Sequence, residues 1–268
     1  MDYPREIIDE YLSGSSTVVL SKKYGIHYSS IRKFLINNGV QLRSNKENSR
    51  VYNVDHNIFS VIDTEEKAYW LGFLSADGYV SSVCGKRVGL SIAIKDYDHI
   101  VKFNEFINST YTIHTYVSTS GYSNSEYCRV IISSDAMYDD LVRHGVVEHK
   151  SEIFEYPYNL SFDLQRHFLR GYNDGDGCIT KNGNAYSLKI MGTDNFLDGF
   201  VSFLKKNDAY EHSRKEERRK GDVVKSLIMN GKTAFNAIKL MYSDSNISLD
   251  RKYDKASEAL CYFSRLYE

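Results

Sequence analysis

Along the chain the hydrophobic and polar positions alternate between a helical period and a strand period. The same order of helices and strands occurs twice. In the first copy a helical stretch precedes strands at 78–82 and 87–95, a helix at 98–109, strands at 111–119 and 126–133, and a helix at 136–145. In the second copy a helical stretch precedes strands at 178–180 and 186–192, a helix at 194–206, strands at 209–217 and 222–230, and a helix at 233–243. Such a repeated series indicates two copies of one structural unit. We therefore predict an α+β fold of two αββαββα repeats related by a pseudo-twofold axis, preceded by a small all-α domain.

The first 43 residues carry a different pattern, which predicts three short helices. A helical stripe of apolar residues begins at Ile7, and Gly25 permits a tight turn between the second and third helices. The apolar spacing around Gly25 resembles the helix-turn-helix of recombinases and transcription regulators. In that arrangement the third helix would present hydroxyl and basic side chains to DNA. These side chains are Ser29, Ser30, Arg32 and Lys33. A generic three-helix unit with a solvated basic face explains the same pattern.

Composition divides the chain into three parts. Residues 44–57 are polar and lack periodicity, which predicts a linker. The linker would join a helix-turn-helix domain at 1–43 to a main domain at 58–268. The main domain would consist of repeat one at 58–155 and repeat two at 156–268.

Charge is concentrated in two basic regions, although the whole chain has a formal net charge of only −1. Residues 1–50 hold 8 Lys+Arg against 5 Asp+Glu, a net of +3, and residues 205–232 hold 9 against 5, a net of +4. This distribution is compatible with a polyanion bound along one surface. The four cysteines form no CxxC pair and suit a reducing cytosol. We expect a cytoplasmic, nucleoid-associated protein of a bacterium or a bacteriophage.

Two nine-residue strings open the two copies, WLGFLSADG at 70–78 and LRGYNDGDG at 169–177. On a helix their small residues fall four positions apart on one face, and this spacing lets two backbones approach closely. The pairs are Gly72 with Ala76 and Gly171 with Gly175. We therefore expect the two helices to approach each other along these faces.

Each string ends in an aspartate followed by a glycine. We expect Gly78 and Gly177 to end the two helices in the left-handed conformation. Asp77 and Asp176 would then project at neighbouring helix C-termini, where the helix dipole favours a cation. Two carboxylates there repel each other unless a positive ion lies between them, and Mg²⁺ prefers such oxygen ligands. Glycine-rich turns whose aspartates bond only to the backbone are the alternative.

The two strings resemble the LAGLIDADG signature of homing endonucleases, and the resemblance covers roughly residues 58–268. Copy one departs from the signature at Trp70, and at Ser75 in place of the first aspartate. The resemblance implies a Mg²⁺-dependent endodeoxyribonuclease of mobile genetic elements, which cuts both strands of a long duplex DNA site and leaves short 3′ overhangs. It implies a monomer with an internal pseudo-dimer, whose halves meet at the motif helices and whose saddle-shaped antiparallel sheets read the DNA. The metal ligands that it implies are Asp77, Asp176 and the backbone carbonyls of Ala76 and Gly175.

A second matched pair consists of lysines. Lys150 lies 73 residues after Asp77, and Lys252 lies 76 residues after Asp176. The family often carries a lysine near this place, directed at the active-site water or the scissile phosphate, where an ammonium would stabilise developing charge. A surface lysine at the start of a helix is the alternative, and Arg251 competes with Lys252 for the role.

Long cationic side chains on the predicted strands are candidates for DNA contacts. They are Arg129, Lys189, Arg214 and Lys225, of which Arg129 and Lys225 recur early in the fourth strand of each copy. Two other functions compete with the endonuclease: a DNA-binding regulator that does not cut, and an intron RNA maturase on the same fold. Both aspartates favour the endonuclease over the regulator, and a helix-turn-helix disfavours the maturase.

Overall fold

The computed structural model describes residues 3–43, 52–118, 125–183 and 185–267. The chain divides into two compact units between Asn53 and Val54. Residues 44–51 of the predicted linker lie outside the described residues. Of the remainder, Asp55 belongs to the larger unit, because its backbone N–H donates to the carbonyl of Ile107 at 2.8 Å. Within the described ranges, none of the helices combines the length and the apolar character that crossing a bilayer requires.

The smaller unit consists of three helices, as the sequence predicts. They are α1 (Glu6–Leu12), α2 (Thr17–Tyr24) and α3 (Tyr28–Asn37). The Ser16 hydroxyl accepts from the Val19 N–H and caps α2, and Gly25 ends that helix with a φ of 65°. The buried core of this unit consists of Ile7, Tyr11, Leu20, Ile31 and Leu35.

The larger unit contains two copies of one element series. The first copy comprises α4 (Glu65–Ala76), β1 (Gly78–Ser81), β2 (Arg87–Ala93), α5 (Tyr97–Phe106), β3 (His114–Ser118), β4 (Ser125–Ser133) and α6 (Asp135–Arg143). The second comprises α7 (Phe162–Asp176), β5 (Gly177–Asn182), β6 (Ala185–Gly192), α8 (Asp194–Lys206), β7 (Arg214–Glu217), β8 (Lys225–Asn230) and α9 (Gly231–Tyr242). The predicted α+β class with two αββαββα repeats is therefore confirmed.

Both repeats form a four-stranded antiparallel sheet with the same strand order. The orders are β1-β2-β4-β3 and β5-β6-β8-β7. In each sheet the residue after the motif aspartate begins the first strand, with Gly78 opposite Leu90 and Gly177 opposite Ile190. One face of each sheet packs on the core, and the other face, which we call the open face, carries the alternate residues.

Several predicted strand boundaries are wrong and one helix was not predicted. Strands β3, β7 and β8 begin at His114, Arg214 and Lys225 instead of at 111, 209 and 222, and β2 ends at Ala93 instead of at 95. An 18-residue helix, α10 (Asp250–Tyr267), follows the second repeat. It packs into the second repeat's core through Ala256, Ala259 and Phe263.

Candidate active site at the paired helix ends

The two motif helices pack so closely that their glycines have no room for a side chain. A Cβ placed on Gly72 would lie 2.0 Å from the carbonyl oxygen of Phe168, and one on Gly171 would lie 1.9 Å from that of Tyr69. A Cβ on Gly175 would lie 2.4 Å from the Cβ of Ala76. These distances are well inside van der Waals contact, so α4 and α7 touch backbone to backbone along the faces that carry the small residues.

The prediction that Gly78 and Gly177 adopt the left-handed conformation is wrong. Neither residue has a positive φ, and Gly177 is extended with a φ of −95° and a ψ of 169°. Glycine is needed here because the first strand of each sheet leaves its helix at close range. A Cβ on Gly78 would lie 2.7 Å from the Leu74 carbonyl oxygen, and one on Gly177 would collide with the Asn173 side chain.

This packing brings the two carboxylates to one place on the surface. Asp77 is the C-cap residue of α4 and Asp176 is the last residue of α7, and both side chains are exposed. The surrounding protein and the Asp176 carboxylate raise the pKa of Asp77 to about 6, while Lys150 and Lys252 act in the opposite direction. Loss of hydration also raises the pKa of Asp176. The pair therefore favours a bound cation or a shared proton over two bare charges.

Two lysines complete the site, one in each repeat. Lys150 and Lys252 are 9% and 8% exposed, so the alternative of surface lysines is wrong. Lys150 donates to the carbonyl oxygen of Gly78, and Lys252 donates to that of Gly177 and, at 3.2 Å, to that of Asn173. In each repeat the lysine ammonium thus binds the carbonyl oxygen of the glycine that follows the aspartate.

Burial lowers the pKa of Lys150, and the carboxylates of Asp176 and Asp77 act to raise it. Burial lowers the pKa of Lys252 in the same way. Hydrogen bonds to carbonyl oxygens favour the charged ammonium. The structure therefore assembles two acid–lysine pairs in one neighbourhood.

The oxygen chemistry of this site fits Mg²⁺. That ion keeps several waters and binds through one or two carboxylates together with substrate phosphates. Asp77 and Asp176 would supply the carboxylates, and the carbonyls of Ala76 and Gly175 lie directly before them in the chain. Among the described residues no three His, Cys, Asp or Glu side chains form a group that could hold a metal by themselves. The oxygen atoms of the two carboxylates and the two carbonyls therefore fit a hard divalent cation.

A buried polar network on α7 was not predicted from the sequence. Asp174 accepts from the Tyr69 hydroxyl at 2.8 Å, the Tyr242 hydroxyl at 2.5 Å and the Leu249 N–H at 2.7 Å. Burial raises the pKa of Asp174, and these hydrogen bonds oppose that effect. The network holds the loop that leads into α10 and hence to Lys252.

Arg170 belongs to the same network and is fully buried. It donates to Glu65 on α4 at 2.7 Å and to the carbonyl oxygens of Met241 and Ile247 at 2.8 Å. The sequence does contain a signal for this network. The motif helix of repeat two has Arg170 and Asp174 where that of repeat one has Leu71 and Ser75. Charged groups survive burial only when they are paired in this way.

Three of the four predicted strand cations lie on open faces. In sheet two, Lys189 and Arg214 both pair with Ile228 and so form one row across the sheet. Arg214 also makes an ion pair with Glu216 at 2.7 Å. In sheet one, Arg129 lies over the rings of Tyr116 and Tyr127, at 5.6 and 5.3 Å.

Lys225 lies on the opposite side of its strand, and its proposed equivalence with Arg129 is wrong. Gly192 and Lys225 pair in sheet two, and the corresponding pair in sheet one is Ile92 with Cys128. Lys225 therefore shares the core-facing side with Leu227, and a shift of one residue moves a side chain to the other face. Its ammonium binds Asp194 at 2.6 Å and Glu217 at 3.3 Å instead.

In the smaller unit the predicted contact residues cluster at the start of α3. Ser29, Arg32 and Lys33 are exposed and Ser30 is half-buried. The N-cap is His27, whose Nδ1 lies 2.7 Å from the Ser29 hydroxyl oxygen. The helix thus presents one hydroxyl and two cations to solvent.

No protein-family model and no curated protein sequence matches the chain. Solved structures align with it at low identity. The LAGLIDADG meganuclease I-AabMI bound to uncleaved DNA is 9% identical over 76% of this chain and 91% of that chain, with a TM-score of 0.49. Mesophilic variants of the homing endonuclease I-DmoI are 15% identical over 76% and 99%, with a TM-score of 0.48. Full-length DUF199/WhiA from Thermotoga maritima is 14% identical over 76% and 64%, with a TM-score of 0.46.

Proposed function

We propose that the chain is a site-specific homing endonuclease that makes metal-dependent double-strand breaks in a long duplex DNA target, leaving short 3′ overhangs. The observation that carries the proposal is the pair of exposed carboxylates, Asp77 and Asp176, at the touching ends of two helices with a buried lysine beside each. Two equivalent acid–lysine pairs in one chain match the two strands of a duplex. A monomer would thus supply both halves of the site.

In the proposed mechanism each residue has a separate task. Asp77 and Asp176 would hold Mg²⁺, with the backbone carbonyls of Ala76 and Gly175 as further oxygen ligands, and would orient the attacking water at the scissile phosphate. When bound, Mg²⁺ would lower the pKa of that water and stabilise charge on the phosphoryl oxygens. Lys150 and Lys252 each have three N–H donors, of which the contacts above use one and two. The remaining donors would stabilise the negative charge that develops on the phosphate.

DNA binding would involve three surfaces. The open faces carry Arg129, Lys189 and Arg214, whose long donors suit base edges and phosphates. The smaller unit would act as a helix-turn-helix module, with Ser29, Ser30, Arg32 and Lys33 at the duplex. Lys225 is left out of the contact set because its two carboxylate partners already neutralise it.

The test uses a duplex selected from a randomised library by binding to the protein, with a different label on each strand. Asp77→Asn and Asp176→Asn preserve size and fold but remove a charged ligand. Each should lower cleavage of at least one strand on the order of 10³-fold, because several kcal/mol of transition-state stabilisation are lost. Binding should persist, since most affinity comes from contacts elsewhere. Ser75→Ala, on the same helix, should leave the rate close to that of wild type, because the buried Ser75 hydroxyl donates to the Leu71 carbonyl oxygen of its own helix and belongs to neither acid–lysine pair.

A DNA-binding regulator that does not cut is the second candidate. It would use the same cationic side chains on the open faces and on α3, which can bind a duplex whether or not the carboxylate pair holds a metal. A wild-type protein that binds the selected duplex but leaves both strands intact in Mg²⁺ and in Mn²⁺ would establish this candidate. Wild-type cleavage in the Asp77→Asn and Asp176→Asn variants would refute the proposed role of these residues.

A further inference from the structure

Arg251 belongs to the second repeat's final helix but is anchored to the first repeat. Its Nε and Nη2 donate to the two carboxylate oxygens of Asp96, each at 2.8 Å. The Asp96 side chain is 6% exposed and that of Arg251 is 43% exposed. A bidentate pair of this kind fixes the plane of the guanidinium. Nη1 makes no hydrogen bond within the described residues, so its N–H groups remain available to a ligand.

The anchored guanidinium shares an open cavity with one of the two candidate catalytic carboxylates. Arg251, Asp96 and Asp77 line one open cavity of about 390 Å³, together with Ser91 from β2 and Tyr127 from β4. The cavity therefore presents a carboxylate and a guanidinium to the same incoming group.

Among the residues that the structure describes, the other half of the site has no such arginine. Lys150 is preceded by His149, as Lys252 is preceded by Arg251, and His149 has a left-handed backbone with a φ of 57°. The acid that follows β6 is Asp194, whose carboxylate binds Lys215 and Lys225. The two halves thus share their aspartate and lysine, and within the described ranges they differ at the position of Arg251.

We propose that Arg251 contacts the scissile phosphate on the Asp77 side, held in place by Asp96, so that the enzyme cuts its two DNA strands at unequal rates. This inference rests on the proposed endonuclease function. A planar guanidinium with a free edge is suited to a phosphate, because it can donate two parallel hydrogen bonds to it. Asp96 is a positioning residue, because it acts only through Arg251.

The test is single-turnover cleavage of the selected duplex in Mg²⁺, with each strand labelled separately. Arg251→Met should slow one strand by roughly 10²-fold, the effect of removing one preorganised donor, and change the other by less than about 3-fold. Arg251→Lys should fall between Arg251→Met and wild type, because it keeps the charge and loses the bidentate geometry. Asp96→Asn should reduce the same strand's rate less than Arg251→Met does. Arg143→Met is the matched control, since Arg143 is an exposed arginine paired with Asp140 at 2.7 Å.

A binding measurement keeps the inference testable apart from cleavage. In Ca²⁺, the slope of log K against log salt concentration should become shallower by about 0.9 in Arg251→Met, the value for one lost phosphate contact. An unchanged slope, or an equal slowing of both strands, overturns the role of Arg251 and leaves the endonuclease proposal standing. A wild-type protein that binds duplex without cutting refutes the endonuclease, and the salt slope then still decides the phosphate contact. A wild type that does not bind duplex overturns both.

Discussion

The close packing of α4 against α7 at Gly171 offers a sharp test of the fold. Replacing Gly171 by alanine places a methyl group 1.9 Å from the carbonyl oxygen of Tyr69. Ordinary van der Waals contact begins near 3.4 Å, so the methyl group is 1.5 Å too close. The obstacle is a backbone atom inside a helix and cannot rotate away, so α4 and α7 must separate.

The expected cost follows from two opposing effects. Overpacking a well-packed core costs about 1–3 kcal/mol, and a rigid backbone partner places Gly171→Ala at the upper end. Alanine in place of glycine within a helix returns about 1 kcal/mol. We therefore expect a net loss of about 2 kcal/mol in the free energy of unfolding. Gly72→Ala, with its methyl group 2.0 Å from the Phe168 carbonyl oxygen, should lose a similar amount.

The double variant distinguishes this mechanism from generic damage. One separation of the two helices relieves both collisions, so Gly72→Ala with Gly171→Ala should cost less than the sum of the single losses. Couplings between touching residues are typically about 0.5–3 kcal/mol. Two independent defects would instead give additive losses.

The assay uses the chain's single tryptophan. Trp70 is fully buried on α4, so its fluorescence follows unfolding of the larger unit in urea. Ser75→Ala is the control, because it removes only a hydroxyl that donates to the Leu71 carbonyl at 2.8 Å. A Gly171→Ala protein as stable as wild type, or strictly additive losses, would refute the backbone-to-backbone packing of these helices.

Two further predictions concern pH and the smaller unit. The folded pKa of Asp77 is about 6 against an ordinary value of 3.8, so the folded state holds this proton more tightly and the metal-free protein should lose stability as pH rises from about 4 to about 6. Urea unfolding at both pH values checks this, and Asp77→Asn should remove part of the loss; a stability that rises over this range contradicts it. Arg32→Ala and Lys33→Ala should each weaken duplex binding and reduce the salt slope by about 0.9 if the side chain touches phosphate. Titration of the selected duplex at several salt concentrations measures both effects, and unchanged binding in both variants would exclude α3 from the interface.

The repeated architecture could be predicted because each local pattern agreed with the global one. Two strings at equal places in two equal series fixed the element order without any distance information. The face of Lys225 could not be predicted in this way. Arg129 and Lys225 both lie early in a fourth strand, but the structure shows their registers to differ by one residue, which reverses the side of the sheet. Sequence position alone does not reveal strand register.

The buried polar network of Asp174 and Arg170 also could not be predicted from the sequence. Asp174 and Arg170 are spaced like the exposed face of an ordinary helix, and their partners lie some 70 to 105 residues away in the chain. Only the fold brings Tyr69, Tyr242 and the Leu249 N–H to one carboxylate. The helix α10 was overlooked because it follows the second repeat and has no counterpart in the first.

The differences between the repeats follow a physical rule. The residues that form the site and the helix contact in both repeats occur twice. They are an aspartate at the end of each motif helix, a glycine where the two helices touch, and a lysine that binds the carbonyl oxygen of the glycine after each aspartate. These are Asp77 with Asp176, Gly72 with Gly171, and Lys150 with Lys252. Residues that occur once, such as Asp174 and Arg251, surround the segment that leads into α10. In a symmetric dimer a change beside one carboxylate necessarily recurs beside the other. A single chain has no such constraint, and that freedom allows one strand's site to acquire an arginine that the other lacks.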